Sequence, residues 1–430
     1  MQYIRSFLLL FVTLFTTAVI AQVQISSVHQ AQKGETLSSL SAQYGLTIEE
    51  ILSVNPEMSP KPNKKIKKGY LVNIPGRKEV VLTQQDTFCL AVVLPLSSTG
   101  KEGERCLEYY RGLLMAADKV RENGRVIKIV AIDEPGAKKN IEDVVDNLYA
   151  INPDAIVGPL YPQHFQAMST LSLSLDVKLL VPFSSKVSEV EFNPNIYLLN
   201  APAVVVQENS FQLLNNVFKN RRFVIVRTND ASDRDVVNYW NDKLLMQRGD
   251  VKYLSQNFNQ EDLFGALSLY QSNVILLDGS NQENVLNILK KVREYTDEAT
   301  THSISVVGHN AWQTFSMEQH ELLGALDTHI LSQNYYNAFN KQVIDFEEAY
   351  SHWFKEYPLP LHPRMGELGY DTGLYLFTAD KGNSLKDMSG NAMNYLQSKL
   401  KFQRFGYGGY VNTSLMFLRY GSGNIPDVIE

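Results

Sequence analysis

Cysteine is almost missing from this chain: two of its 430 residues, Cys89 and Cys106. A disulfide-built scaffold and a cysteine-rich metal site are thereby excluded. The eight histidines, at 29, 164, 302, 309, 320, 329, 352 and 362, show neither H-x-H nor H-E-x-x-H spacing, so the clustered ligands of a zinc hydrolase are lacking. There is no G-x-S-x-G elbow, no P-loop and no G-x-G-x-x-G following a strand. Neither cysteine has a nucleophile context, and the acidic pairs Glu49-Glu50 and Glu347-Glu348 read as solvated helix faces. The chain therefore reads as non-catalytic, with no metal and no cofactor. An excess of positive charge is also missing. Forty Lys and Arg stand against 46 Asp and Glu, a net charge of −6, which speaks against a nucleic-acid partner.

Past the N-terminus no hydrophobic run reaches membrane-spanning length. The one apolar stretch, Phe7–Ile20, follows Arg5 and ends in Val19-Ile20-Ala21. It reads as a secretory signal over 1–21, cleaved near Ala21/Gln22. No cysteine lies near the cut to carry a lipid. The expected product is exported and periplasmic, with no membrane span after cleavage. In that compartment Cys89, in a predicted strand, and Cys106, near the start of the next helix, either pair or remain two small buried thiols.

What the chain has in quantity is alternation of short apolar runs with amphipathic segments. Residues 151–185 show it most clearly. Ala155–Val157 ends in Gly158-Pro159; Phe165, Met168, Leu171 and Leu175 follow at helical spacing; Leu179–Val181 stops at Pro182 and Ser184-Ser185. Strand, break, helix, strand is a βαβ unit of a parallel sheet. The same rhythm starts at Phe88–Leu94, followed by a helix near 104–121 with Leu107, Tyr110, Leu114, Ala117 and Val120 on one stripe. It resumes after Ala201-Pro202 with strands at 223–227, 251–254, 274–277 and 304–308. Two such series predict two Rossmann-like lobes. The first is expected over about 87–200 and 331–400, the second over about 201–330 and 401–430. Residues 403–420 read as a Gly-rich turn into a single strand.

Ahead of these lobes, behind a linker at 77–86, lies a small βααβ pattern over 28–76. Its first strand turns at Lys33-Gly34. One helix carries Leu37, Leu40 and Tyr44 and stops at Gly45. A second opens on a Thr47/Glu50 capping box and turns Ile48, Ile51 and Leu52 inward. Asn55-Pro56 ends it, and Gly69 precedes the closing strand. Residues 29–78 carry eight Lys and Arg against four Glu, roughly +4, concentrated at Lys61, Lys64, Lys65, Lys67 and Lys68. That loop reads as solvated, or as attracted to anionic wall polymers.

With His29, Gly34-Glu35-Thr36-Leu37, Tyr44-Gly45, Asn55 and Gly69…Ile74-Pro75 in order, this unit resembles a LysM domain. The resemblance implies binding to N-acetylglucosamine-containing glycan, above all peptidoglycan. The implied groove has Gly34, Glu35, Thr36 and Leu37 on one side and Asn55, Pro56, Glu57 and Met58 on the other.

The larger region resembles the type I periplasmic-binding-protein fold, in its Leu/Ile/Val-binding branch. The residues that carry the likeness are Ala91–Leu96, Tyr110–Ala117, Ala155–Pro159, Leu180-Val-Pro182 with Ser184-Ser185, and Tyr370-Asp371-Thr372. By the rule that loops at the carboxyl ends of parallel strands line the ligand crevice, Ser97, Ser98, Thr99, Pro159, Tyr161, Ser184 and Ser185 face it from the first lobe. Asn229, Asp278, His309 and Trp312 face it from the second, with Tyr335 beside them. Amino-acid-binding members place small hydroxyl residues after the Gly-Pro, where hydroxyls and amides hold the ligand's carboxylate. This chain has Leu160, Tyr161 and Pro162 there, a departure that weighs against an amino-acid ligand.

The function implied is that of a non-catalytic, wall-tethered binding protein. Periplasmic lipoproteins that activate peptidoglycan synthases have a similar binding-protein-like domain. A cell-wall synthesis protein is accordingly the implied partner, with the lobes as a docking or regulatory module. The alternative is a solute receptor closing over an amino acid, peptide or muropeptide.

Overall fold

The computed structural model describes residues 25–44, 46, 48–75, 87–122, 124–230, 232–298, 302–378, 395–423 and 425–430. The expected signal at 1–21, the linker at 77–86, the Gly45 stop and the Thr47 end of the capping box lie outside them. The chain is α/β and divides into two compact units at Thr83/Gln84.

In the small unit β1 (Ile25–Gln30) and β2 (Leu71–Pro75) pair antiparallel. Between them run α1 (Leu37–Tyr44) and α2 (Ile48–Ser53). Leu37, Leu40, Leu46, Ile51, Val72 and Ile74 are buried, with Tyr44, Ile48 and Leu52 packed around them. The inward stripes of both short helices thus match their apolar spacing. Gly34 turns the chain into α1 at φ +99°, a conformation that side chains rarely adopt.

The large unit holds two seven-stranded sheets. The first contains β3 (Thr87–Leu94), β4 (Val126–Asp133), β5 (Ala155–Val157), β6 (Lys178–Val181) and β7 (Ile196–Leu198), all parallel. The second contains β8 (Arg222–Arg227), β9 (Val251–Ser255), β10 (Asn273–Leu277), β11 (Ile304–Gly308) and β12 (Thr328–Ser332), also parallel. Near-continuous Val, Ile and Leu in these strands is the composition of sheets covered on both faces. Helices supply the cover, with separate apolar clusters on the two sides of each sheet.

The region near the C-terminus read as one strand, 403–420, holds three, and a fourth follows it. β13 (Phe402–Arg404) and β14 (Tyr410–Asn412) extend the first sheet beyond β7, while β15 (Met416–Tyr420) and β16 (Asp427–Ile429) extend the second beyond β12. Residues 401–412 therefore belong with the first sheet, and the chain crosses back at 413–415. The expectation that placed all of 401–430 in the second lobe is corrected there.

Helix α3 (Lys101–Arg121) also departs from expectation. Its buried face is Cys106, Tyr109, Leu113, Ala116, Ala117 and Val120, while Tyr110 is only packed at the margin. Ala117 and Val120 face inward as expected, while Leu107, Tyr110 and Leu114 give way to their neighbours Cys106, Tyr109 and Leu113. The cause is the close crossing with α12 (Met365–Thr378). A Cβ on Gly112 would lie 2.0 Å from the Gly366 carbonyl oxygen, so the backbones meet where no side chain intervenes. Helix α11 (Lys341–Phe354) packs Val343, Phe346 and Tyr350 near Met115 of α3, so it too lies on the first lobe.

Both cysteines are free thiols, which closes the question of a bridge. Successive strand residues point to opposite faces. Phe88, Leu90, Val92 and Leu94 of β3 share a core with Cys106, whereas Ala91 and Val93, in phase with Cys89, share the core on the other side. The two sulfurs are separated by the sheet.

Candidate functional site

In the small unit most of the expected groove residues are occupied in holding the fold. Glu35 accepts from His29 Nε2 at 2.8 Å and from the Gln32 amide at 2.7 Å, and His29 Nδ1 meets the Tyr44 hydroxyl at 2.8 Å. The Gln32 amide and then His29 hold the Glu35 carboxyl below the usual glutamate range. Thr36 and Ser39 cap one another's backbone N–H at 2.9 and 3.1 Å. Asn55 is fully buried. Its Nδ2 donates to the carbonyls of Ile51 and Asn73 at 2.7 Å each, and its Oδ1 accepts from the Asn73 amide at 2.9 Å. Asn55 is therefore a clip between α2 and β2, with nothing left to offer a ligand. Gly34 and Pro56 are exposed turn residues.

A groove of about 260 Å³ remains, and of the eight expected residues Leu37, Glu57 and Met58 line it. Ser59, Lys64, Lys65, Ile66, Lys67 and Tyr70 complete it. Tyr70 donates its hydroxyl to Glu57 at 3.1 Å. The basic loop thus walls the groove.

In the large unit the Gly158-Pro159 turn after β5 has an occupant of its own. The carboxylate of Glu134, buried just past β4, accepts from the backbone N–H of Leu160 at 2.7 Å and of Tyr161 at 3.0 Å. It also accepts from His164 Nδ1 at 2.7 Å, and His164 Nε2 reaches the Lys139 carbonyl at 3.1 Å. Burial pushes the Glu134 carboxyl up, against the pull of these donors. The two amides are thus answered by a carboxylate of the chain itself. Tyr161 donates its hydroxyl to Glu102 at 2.5 Å, and that bond, ahead of burial, raises the phenol to about 12.

The other crevice residues divide similarly. The Ser97 amide and hydroxyl both donate to Asp133, Ser98 closes a turn on Pro95, and Ser184 Oγ accepts from the Lys186 amide. Asp278 is fully buried, accepting from the Thr228 amide at 2.7 Å and facing Arg227 at 3.2 Å and Arg234 at 3.4 Å. Trp312 is likewise buried, its ring over Gly308 and its Nε1 donating to the Gly279 carbonyl at 3.0 Å. His309 caps Ala311 at 2.9 Å, and the exposed Asn229 is tied by its amide to Gln256. Asp278 and Trp312 are thereby corrected from crevice to core.

Beside the occupied turn lies a chamber of about 580 Å³. Its apolar wall includes Leu160, Phe183, Met365, Leu368 and Leu400, and Lys101, Glu102 and Arg105 stand along it. Five carboxamides also line it: Asn200, whose Nδ2 donates to the Pro182 carbonyl at 3.2 Å, and a set of four, Asn310, Gln333, Asn334 and Asn412. None of the four was singled out in the sequence, where only their position directly after β11, after β12 and in β14 hints at them. Asp371 of α12 positions part of the wall by accepting from the amides of Leu396, Gln397 and Ser398 at 2.8, 3.0 and 2.8 Å. Burial pushes its carboxyl up to about 7.

A family model described as LysM domain matches residues 29–67. The match falls on the turn, the two helices and the basic loop just described. Residues 29–67 are a LysM domain. Comparison with curated proteins returned no match. Among solved structures, a chain from Rhodospirillum rubrum described as a branched-chain amino acid ABC transporter aligns at 14% identity and TM-score 0.55, over 80% of this chain and 100% of its own. Full-length LpoA from Haemophilus influenzae aligns at 12% identity and TM-score 0.52, over 81% of this chain and 60% of LpoA. At these identities the likeness shows the fold, and the large unit has the two-lobed fold of type I periplasmic binding proteins.

The LysM domain accounts for the latch between His29, Glu35 and Tyr44 as framework, and its groove for the basic loop. Among the described residues no group of three or more His, Cys, Asp or Glu is placed to hold a metal, and no helix is long and apolar enough to cross a membrane.

Proposed function

We propose that this is an exported, non-catalytic protein that binds peptidoglycan through its LysM domain and uses the binding-protein-like unit as a docking or regulatory module for a cell-wall synthesis protein. The observation that carries the second half is Glu134. A receptor for free amino acids needs the Leu160 and Tyr161 amides open to a ligand carboxylate, and here a buried side chain occupies them. Displacing it would strand a buried charge, which costs several kcal/mol. Supporting the first half, the LysM groove keeps a mixed apolar and cationic lining of Leu37, Met58, Lys64 and Lys67, suited to an acetamido methyl beside an anionic polymer.

The test is co-sedimentation of the full chain with purified sacculi, alongside thermal shift with free amino acids. Wild type is expected to sediment, and Met58→Asp to remain in solution while melting like wild type. No shift is expected from any free amino acid. Equal sedimentation of Met58→Asp would reject the groove, and a stabilising shift from leucine or glutamate would reject the docking reading.

A further inference from the structure

The chamber beside the Gly158-Pro159 turn is larger than a free amino acid requires and falls within the roughly 300–1,000 Å³ of small-molecule sites. Its polar groups are sorted by sign. Asn310 Oδ1 accepts from Gln313 Nε2 and from Ser332 Oγ at 2.8 Å. Asn334 Oδ1 accepts from Ser398 Oγ at 2.5 Å. Asn412 Oδ1 accepts from the amides of Lys401 and Ser414 at 3.0 and 3.1 Å. With each oxygen held by protein donors, the amide orientations are fixed. The three Nδ2 groups find no protein acceptor among the described residues. Gln333 adds a buried Nε2 without a partner. Of these only the Gln333 Nε2 is buried, where an unpaired donor costs about 1–3 kcal/mol; with the carboxamides of Asn310, Asn334 and Asn412 lining the same chamber, the wall points to acceptors that come from outside.

Charge sharpens the class of ligand. Lys101 and Arg105 line the chamber with no carboxylate partner among the described residues, and Glu102, the one acid in the lining, already accepts from Tyr161. A sugar presents hydroxyls that need acceptors as well as donors, and the side-chain acceptors of this wall, Glu102 and the Asn200 Oδ1, are outnumbered by the four carboxamide donors and two cations. Peptide carbonyls need donors alone, a carboxylate suits the unpaired guanidinium and ammonium, and Met365, Leu368 and Leu400 can cover an aliphatic side chain.

We infer that the chamber binds a short acidic peptide, its carbonyls on the carboxamides of Asn310, Gln333, Asn334 and Asn412 and a carboxylate toward Arg105 and Lys101. The inference rests on the reading of the large unit as a binding module and gives it a ligand distinct from a free amino acid. Peptide binding and wall binding are separate readouts.

Isothermal titration of the full chain with Ala-Glu-Ala, with its N-acetylated and amidated neutral counterpart Ac-Ala-Gln-Ala-NH2, with N-acetylglucosamine and with leucine tests this. Ala-Glu-Ala is expected to bind, the neutral peptide at least tenfold more weakly, and the sugar and leucine not at all. Gln333→Leu removes the unpaired donor without removing a protein contact. It should weaken Ala-Glu-Ala at least tenfold while its melting temperature holds or rises. Arg105→Ala should erase the preference for the acidic peptide over the neutral one. No heat from either peptide, or unchanged affinities in both variants, overturns the inference, and sacculus sedimentation by the same samples then shows whether the wall-binding reading survives it.

Discussion

The turn after β5 and the chamber next to it are built from neighbouring backbone, yet their polar groups are in opposite states. At the turn, two amides and an imidazole converge on the buried Glu134 carboxylate. In the chamber, the amide nitrogens of Asn334 and Asn412, whose oxygens are held by protein donors, and of Gln333 have no protein acceptor among the described residues. The difference teaches how a binding-protein fold changes its ligand. A site closes when the chain supplies the ligand's charge itself, and another opens where donors are fixed and left unanswered. Fold likeness alone does not distinguish these outcomes.

The largest effect is expected from breaking the closed side. Glu134→Ala leaves two amides and His164 without their acceptor and should cost about 3–5 kcal/mol, in line with loss of one partner from a buried charged pair. Melting curves should then recover in part with added formate, which re-enters the vacated seat. Unchanged stability of the variant would show that Glu134 does not act as the plug.

A smaller loss is expected in the LysM domain, where Asn55 plays the corresponding internal role. Asn55→Ala strands the carbonyls of Ile51 and Asn73 and the amide of Asn73, at about 1–3 kcal/mol for each group that water cannot reach. Limited proteolysis should cut this domain in the variant while the large unit resists. A variant that stays folded and loses only sacculus binding would return Asn55 to the glycan groove.

The smallest effect concerns another buried carboxyl, Glu367 of α12, whose two oxygens have no hydrogen-bond partner among the described residues. Burial raises it from 4.5 to about 8, with Glu347 and Glu108 adding to the rise and Arg364 opposing it. A carboxyl raised in the folded state contributes stability that is present in full below its unfolded value and lost as pH rises through the folded one. The melting temperature should therefore fall by a few degrees between about pH 5 and pH 8. Glu367→Gln should flatten that slope, and an identical slope in the variant would assign it to other groups. Against Glu134, the comparison isolates what donors are worth to a buried charge.

How much was legible differs by level. The strands at 126–132, 155–157, 223–227 and 304–308 were readable because short apolar runs between helical stretches have few other ways to be buried. The α3 stripe was right at Ala117 and Val120 and misread by one position before them, since Leu107, Tyr110 and Leu114 are as apolar as the residues that go inside. The glycines at 112 and 369 decide the face by letting two backbones touch, since a Cβ on either would lie 2.0 Å from a carbonyl oxygen of the other helix. The separation of Cys89 from Cys106 was within reach of strand alternation. The burial of Asp278 and Trp312 was not, because loop residues carry no period. Nothing in the sequence spacing joins Glu134 to Leu160 and Tyr161, 26 and 27 residues away.

The sequence by itself determined the two α/β lobes, the LysM pattern and the odd Gly-Pro-Leu-Tyr turn, because periodicity, caps and glycine positions act over a few residues. Only the tertiary structure decided which polar groups answer one another. That is a matter of which strand ends and helices meet, and it made Asn55 a clip, Glu134 a plug, and Asn310, Gln333, Asn334 and Asn412 the lining of one chamber. Hydrogen bonds and charges are satisfied in space, over a few ångströms, between residues that the chain keeps far apart.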